Sequence, residues 1–260
     1  MGRYVMVIAA LSAFISADGQ WLNYPTPSVP RTPEGLPDLE AAAPRTIDGR
    51  PDFSGVWEPD AEGGTPSPFA AVVTLPAGFL NIEALAQGGL PYRPEARSVV
   101  AARRAANSKD NPDGKCLPLS IVQMHSHPFP RKILQVPGLL AILYEKNTLY
   151  RQIFTDGRPL PVDPQPSFFG YSSGKWVDDT LVVETAGFRE DGWADGGGNL
   201  LTEAAHITER FYRPTYGRLE IQVTVDDPKA YSAPWTVTLR QHIKLDTDLL
   251  EYACLENQKR

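Results

Sequence analysis

The stretch LEIQVTVD, residues 219–226, alternates strictly between apolar and polar side chains. A second stretch, WTVTLRQHIK at residues 235–244, continues the alternation. Successive side chains of a β-strand point to opposite faces of the sheet, so this period of two predicts a strand with one buried face. A buried face opposite a polar face is typical of antiparallel sheets. These two stretches therefore place the chain among the antiparallel β proteins.

The same pattern extends outward over most of the chain after Pro130, where about eight strand candidates are separated by short turns. The clearest hairpin is KWVDDTLVVE at 175–184, which we expect to turn at Asp178-Asp179. One helix is clear, from Pro94 to Asn107, because it opens on proline and is rich in alanine. The prediction is an all-β fold, either a lipocalin-like antiparallel β-barrel or a sandwich, with one helix-containing segment around residues 80–110 packed outside. A barrel is favoured because it has no exposed edge strands and can enclose a ligand.

Residues 1–17 have the pattern of a signal peptide. Arg3 gives one positive charge, residues 4–17 are almost wholly apolar, and the small residues Ser16 and Ala17 offer a cleavage site. The apolar run is short for a bilayer-spanning helix, and no later stretch could span a membrane. We therefore expect export to the periplasm or the cell exterior. An uncleaved anchor and a buried helix are the alternatives.

Residues 18–50 are predicted to form a proline-rich extended arm, which is either a linker or a strap across the domain. Residues 51–260 are predicted to form a single β domain that starts near the segment DFSGVW at 52–57. The formal net charge of −6 gives the chain no electrostatic reason to bind nucleic acid or anionic lipid. The sequence gives no indication of the oligomeric state.

The chain has two cysteines, Cys116 and Cys254. In an oxidising compartment such a pair usually forms a disulfide, and closing so long a loop stabilises the fold by about 4–5 kcal/mol. Two buried thiols, or thiols that bind a metal, are the alternatives. No CxxC spacing supports a redox or zinc site.

Two of the four histidines, His125 and His127, are separated by one residue. On a strand they would face the same way and could share a metal or a substrate. No carboxylate follows at the spacing a metal site needs, so we predict proton carriers rather than metal ligands. The alternative is a loop held by histidine hydrogen bonds.

Several charged residues have apolar residues two positions before and after them, so on a strand they would share the apolar face and should point inward. Arg151 lies between Leu149 and Ile153, and Glu209 lies between Ile207 and Phe211. A buried charge needs a partner, so this pattern predicts either structural ion pairs or a polar cavity. Glu145 and Glu209 are the predicted acid/base carboxylates, with Arg151 orienting an anionic or carbonyl group. An ion pair between Glu145 and Arg151 across a hairpin is the structural alternative.

Aromatic side chains beside flexible loops are candidate ligand contacts. We predict that Tyr171, Trp193 and Tyr231 line a pocket together with Arg151. No cofactor and no metal site is predicted, and the motifs of serine hydrolases and zinc proteases are missing from the sequence.

Several long sequence motifs occur in an order that is also typical of a large family of exported proteins of soil bacteria, so the chain resembles that family. The motifs are RTIDGRPDFSGVW at 45–57, HPFPRKI at 127–133, RQIFTDGR at 151–158, DTLVVET at 179–185 and DDPKAY at 226–231. The resemblance covers roughly residues 44 to 257. It implies export and a single domain, and it implies no activity, cofactor or catalytic residue.

The leading functional hypothesis is a small-molecule site in the barrel cavity, with acid/base chemistry as its catalytic form. Such a site would suit a cofactor-free lyase, isomerase or hydrolase acting on an organic or carbohydrate-derived substrate. Two other hypotheses are a non-catalytic binding protein and an envelope interaction module. A cavity of apolar character with every charge paired would favour the binding protein.

Overall fold

The computed structural model describes residues 24–60, 82–86, 89–118 and 120–254. The predicted signal peptide at 1–17 and the start of the arm lie outside these residues. Among the described residues, no helix has the length and apolar character needed to cross a membrane.

Nine strands form a closed barrel, which confirms the predicted all-β barrel. Around the barrel they follow the order β1-β11-β10-β9-β6-β5-β4-β3-β2, and β2 closes onto β1. Their bounds are β1 Gly55–Pro59, β2 Arg131–Val136, β3 Leu139–Tyr144, β4 Tyr150–Phe154, β5 Tyr171–Val177, β6 Thr180–Ala186, β9 His206–Tyr212, β10 Arg218–Asp226 and β11 Trp235–Lys244. Two short strands, β7 Gly192–Trp193 and β8 Leu200–Leu201, form a separate small sheet.

The two stretches with the strictest alternation are neighbours. Strands β10 and β11 pair from Arg218 with His242 to Val225 with Trp235. The apolar positions of β10 are buried inside the barrel, as the pattern predicts. The predicted hairpin is confirmed as β5 and β6, whose turn holds Asp178 at a positive φ of 51°.

The pairing of β4 with β5 differs from every other contact in the barrel wall. These strands run parallel, and only Ile153 with Ser172 and Phe154 with Ser173 are paired. Parallel neighbours need a crossover connection, which here is the segment 155–170. The wall is therefore joined over only two residue pairs at this position.

The centre of the barrel is filled by side chains. Inward residues of the strands pack into one core, which includes Trp57, Ile142, Val183, Phe211 and Leu239. This core occupies the space in which the sequence predicted a ligand cavity. The clefts described below lie instead at the wall and the rim.

The helix-containing segment around 80–110 is confirmed by α1, Ile82–Leu85, and α2, Pro94–Ala105. A third helix, α3, Ile121–Ser126, was not predicted. All six of its residues are buried, and it plugs the barrel end at which β2 and β4 begin. The disulfide between Cys116 and Cys254 is present, as predicted, with Cα atoms 5.8 Å apart.

The proline-rich arm continues as non-strand chain to Phe53, beyond its predicted end at residue 50, and its described part, residues 24–53, lies across the opposite end of the barrel. Phe53 is fully buried there, with its ring 5.4 Å from that of Trp176 and 6.2 Å from that of Phe211. Earlier in the arm, the carbonyl of Ala41 accepts a hydrogen bond from the amide of Tyr216 at 2.8 Å. Both ends of the barrel are thus covered by the chain.

Candidate functional site

Three of the predicted site residues meet in the barrel core. His125 Nε2 lies 2.7 Å from Glu209 Oε1, and Arg151 Nη1 donates to the same oxygen at 2.9 Å. Arg151 Nη2 donates to the other carboxylate oxygen, so the Arg151–Glu209 pair is bidentate. All three side chains are buried. We call this group the buried triad.

Three separate elements supply the triad. Glu209 points inward from β9, Arg151 points inward from β4, and His125 descends from the last turn of α3. The predicted inward direction is therefore confirmed for Arg151 and Glu209. Each charge has a partner, as a group removed from water requires.

The environment fixes the protonation state of the triad at neutral pH. Burial alone would raise the pKa of Glu209, but the charge and hydrogen bonds of Arg151 outweigh it and lower that pKa to about 2. Burial lowers the pKa of His125, and Glu209 only partly opposes this effect. A neutral imidazole beside an ionised carboxylate must donate from Nε2, because the carboxylate only accepts. His125 Nδ1 is then an acceptor, and it has no hydrogen-bond partner among the described residues.

The guanidinium of Arg151 donates hydrogen bonds to hydroxyl groups as well as to Glu209. Besides Glu209, Nη2 donates to Ser172 Oγ at 3.0 Å and to Thr185 Oγ1 at 3.1 Å, while Nε donates to Ser172 Oγ at 3.3 Å. The predicted role of Arg151 in orienting an anionic group would require these contacts to give way. Within the structure, Arg151 holds β4, β5, β6 and β9 together.

A cleft of about 770 Å³ opens in the wall beside the short β4–β5 pairing. It lies between β4, β5 and the segment 158–170, and we call it the wall cleft. Arg151 and Ser172 form part of its floor, so it reaches the outer side of the buried triad. The aromatic side chains that line the wall cleft are Tyr150, Phe154, Phe168, Phe169 and Tyr171. No carboxylate is among the described side chains that line it.

Two cations line the wall cleft among the described residues, and each is paired with a carboxylate that lies outside the lining. Arg151 is held by Glu209, and Arg158 forms an ion pair with Asp156 at 2.6 Å. The guanidinium of Arg158 also stacks 3.9 Å from the ring centre of Phe154. The wall cleft is consequently apolar and aromatic, with its charges satisfied.

A second cleft, of about 670 Å³, lies at the rim and brings together His127 and Glu145. We call it the rim cleft. His127 Nε2 lies 3.8 Å from Asp113 Oδ2, and Lys146 Nζ lies 2.9 Å from Asp113 Oδ1. The four predicted acid/base residues are therefore divided, with His125 and Glu209 in the core and His127 and Glu145 at the rim.

The expectation that His125 and His127 share a strand face is wrong. His125 lies in the last turn of α3, and His127 follows the helix with extended backbone angles. Arg131 fixes this geometry because its guanidinium donates to the carbonyl oxygens of both residues, at 3.0 Å and 2.9 Å. The two rings consequently point in different directions, one into the core and one to the rim.

The alternative ion pair between Glu145 and Arg151 is also wrong. Residues Lys146–Thr148 form a 3-10 helix in which Asn147 has a positive φ, rather than the tight hairpin that would align the two charges. Glu145 Oε2 instead accepts the amide of Leu250 at 2.9 Å. The partner of Arg151 comes from β9, which is distant in sequence.

The three predicted aromatic contacts are not at one site. Tyr171 lines the wall cleft, whereas Trp193 lines a separate pocket of about 60 Å³ beneath Arg103. Tyr231 is buried, and its hydroxyl donates to the carbonyl of Leu200 at 2.8 Å.

Sequence inspection missed Ser172 and Phe169 in the wall cleft, and Asp113 and Lys146 in the rim cleft. The position of Ser172 could have been predicted from the sequence, since it shares the buried face of β5 with Gly174. Asp113 and Lys146 carry none, because a loop and a turn bring them together.

In the described part of the chain, no group of three or more histidine, cysteine, aspartate or glutamate side chains is arranged to hold a metal ion. No protein-family model matches the chain, and neither a curated protein nor a solved structure matches it.

Proposed function

We propose that this β-barrel binds a small apolar or aromatic molecule in the wall cleft without transforming it. The observation that carries the proposal is a large cleft of aromatic character in which both cations, Arg151 and Arg158, are already neutralised. Paired charges leave apolar contact as the main source of affinity for a ligand.

The size of the wall cleft supports this function. Ligand sites usually enclose about 300–1,000 Å³ and are lined mainly by apolar and aromatic side chains with a few polar groups. The wall cleft falls within that range, and rings from β4, β5 and the crossover segment surround it. Aromatic side chains contribute large contact areas and favour offset or edge-on packing with a ligand ring.

The buried triad favours binding over acid/base catalysis. A carboxylate whose pKa lies near 2 takes up no proton at neutral pH, and His125 is fully buried beneath α3. A catalytic base must come within about 3 Å of the proton it removes, which these positions do not offer a ligand in the wall cleft. The acid/base enzyme and the envelope interaction module remain hypotheses, and neither is favoured by these contacts.

A titration with naphthol, naphthoate and naphthylmethylammonium tests the proposal, because the three probes share a ring system and differ in charge. We expect calorimetry to detect naphthol binding that falls roughly tenfold in Phe169→Ala and in Tyr171→Ala, since each removes about 1–2 kcal/mol of ring contact. The matched control is Tyr212→Ala, because Tyr212 is 44% exposed and Tyr171 is 37% exposed, and Tyr212 does not line the cleft. Equal affinity in all variants, or no binding of any probe, would contradict the proposal.

We also propose that the chain is exported and belongs with the soil-bacterial proteins that its motifs resemble. The apolar N-terminal pattern and the disulfide support export. Intact-mass measurement of protein from the periplasm or the culture medium is the test. A chain that begins at Asp18 is expected, and a full-length chain found only inside the cell would contradict export.

A further inference from the structure

We propose that the disulfide between Cys116 and Cys254 is a local latch. In this proposal it holds residues 245–254, the C-terminal strap, over the buried amine of Lys146 at the rim cleft. Reduction of the bond opens the strap and exposes Lys146 while the barrel stays folded.

Lys146 is enclosed by groups from three segments. Its ammonium lies 2.9 Å from Asp113 Oδ1 and donates to the hydroxyl of Tyr252 at 3.3 Å. It also lies 4.7 Å from the ring centre of Tyr252 and 5.6 Å from that of Phe129. Only 6% of Lys146 is exposed, which is unusual for a lysine.

The disulfide joins the two segments that supply most of this enclosure. Asp113 lies in the 3-10 helix Pro112–Lys115, which ends directly at Cys116. Tyr252 lies in the strap, two residues before Cys254. Each half of the disulfide therefore anchors one group that contacts Lys146.

Besides the contacts with Lys146, the strap is held by Leu245, which packs against the core, by the Tyr252 ring against Phe129, by two hydrogen bonds between Asp246 and Thr26, and by further polar contacts. The strap contains no helix or strand, its Leu250 amide donates to Glu145, and its Asp248 pairs with Lys132 at 2.5 Å. Polar contacts of this kind at partly exposed sites each contribute little to stability. The barrel, in contrast, is held by a closed hydrogen-bonded wall and a packed core. Local opening of the strap is thus far less costly than global unfolding.

The chemical step is thiol–disulfide exchange with a dithiol reductant. The reductant thiolate attacks one sulfur of the Cys116–Cys254 bond, which forms a mixed disulfide and releases the other cysteine as a thiol. The second thiol of the reductant then attacks the mixed disulfide, which releases the remaining cysteine thiol and leaves the reductant as a cyclic disulfide. Two electrons and two protons pass to the protein. Tyr252 and Asp113 can then move apart, so that water reaches Lys146 and the neighbouring His127.

The test measures acetylation of individual lysines by an amine-reactive ester, with peptide mass spectrometry as the readout, before and after dithiol treatment. Hydrogen exchange of the barrel amides is recorded on the same samples. We expect the acetylation rate of Lys146 to rise roughly tenfold or more on reduction, while β9, β10 and β11 remain protected. Lys175, which is exposed and lies on β5 away from the strap, serves as the control and should keep its rate.

Two variants separate the latch from a general loss of stability. The double variant Cys116→Ser/Cys254→Ser should label at Lys146 without reductant, at the rate of the reduced protein. Tyr252→Ala keeps the disulfide and should give a smaller increase, since it removes one side of the enclosure. An unchanged Lys146 rate after reduction would overturn the proposal. A simultaneous loss of protection throughout the barrel would overturn it as well, because the barrel would then need the bond to stay folded.

Discussion

At the scale of single residues, Arg151 and Glu209 stabilise the barrel only as a pair. Both are buried, and their bidentate contact replaces the water that each charge has lost. Removing one partner leaves the other charge in a medium of low polarity, where it has no compensation. The consequence of a substitution here therefore depends on which charge is left behind.

Glu209→Gln should lower the free energy of unfolding by about 3–5 kcal/mol, because it leaves the guanidinium of Arg151 buried and uncompensated. Urea denaturation followed by circular dichroism measures the change. The control is Asp179→Asn, which breaks the half-exposed ion pair with Arg45 and should cost about 1 kcal/mol or less. Equal costs for the two variants would show that the buried pair has no special role.

The stability of the protein should fall as the pH is lowered from neutral. The folded protein holds the pKa of His125 below its ordinary value of 6.5, so below that pH the unfolded chain binds a proton that the folded chain does not. Glu209 adds a further loss between about pH 4.5 and 2, because its folded pKa lies below that of the unfolded chain.

His125→Gln should therefore weaken the pH dependence of stability between pH 6.5 and 5, whatever its effect on stability at neutral pH. Urea denaturation of both proteins at a series of pH values gives the two slopes. Identical slopes would mean that His125 takes up a proton equally well in the folded state, contrary to its burial.

At the scale of secondary-structure elements, α3 depends on contacts at both of its ends. The Ser120 hydroxyl accepts the amide of Gln123 at 3.3 Å and donates to the carbonyl of Ala194 at 3.0 Å. Arg131 satisfies carbonyl groups at the other end. A helix of six residues is too short to be stable alone, so these contacts and burial hold it in the barrel mouth.

Ser120→Ala should lower the free energy of unfolding by about 1–2 kcal/mol, because it removes the cap and leaves the Ala194 carbonyl without its donor. Thermal and urea denaturation measure the loss. The matched control is Ser98→Ala on the exposed face of α2, which should change stability by about 0.5 kcal/mol or less. A neutral Ser120→Ala would contradict the assigned role of the cap.

The elements differ in how far their sequences reveal them. Strands β10 and β11 have one buried and one exposed face, so their alternation is visible in the sequence. Helix α3 is buried on every side and has no solvent-exposed face, so its segment lacks the periodicity of an amphipathic helix. The contacts of Glu145 could not be predicted either, because they depend on a turn with positive φ at Asn147.

At the scale of the whole molecule, the barrel is closed by α3 at one end and by the arm at the other. Phe53 inserts its ring between those of Trp176 and Phe211, and its amide donates to Gln135 Oε1 at 2.9 Å. The arm is therefore part of the folded unit as far as its described residues extend.

Phe53→Ala should lower the free energy of unfolding by about 3–5 kcal/mol, the usual cost of removing a fully buried ring. The control on the same arm is Leu36→Ala, since Leu36 is 64% exposed and should contribute little. Urea denaturation compares the two variants. A small effect of Phe53→Ala would mean that the arm covers the barrel end without supporting it.

The sequence predicts the barrel and the inward charges but not the location of the ligand site. The wall cleft exists because β4 and β5 run parallel and pair at two positions only. The alternation of apolar and polar residues in a strand does not reveal which strand lies beside it in the sheet. Glu209 and Arg151 were recognisable as inward charges, while their pairing with each other depends on strands far apart in the chain.

The location of a bound aromatic ligand decides whether the wall cleft is the ligand site. Amide NMR spectra of the protein, recorded during a titration with naphthol, report which residues sense the ligand. We predict that the shifted amides cluster on β4, β5 and the segment 158–170, with little change at His127, Glu145 or Lys146. Shifts centred on the rim cleft, or no shifts at saturating naphthol, would contradict the assignment of the wall cleft as the ligand site.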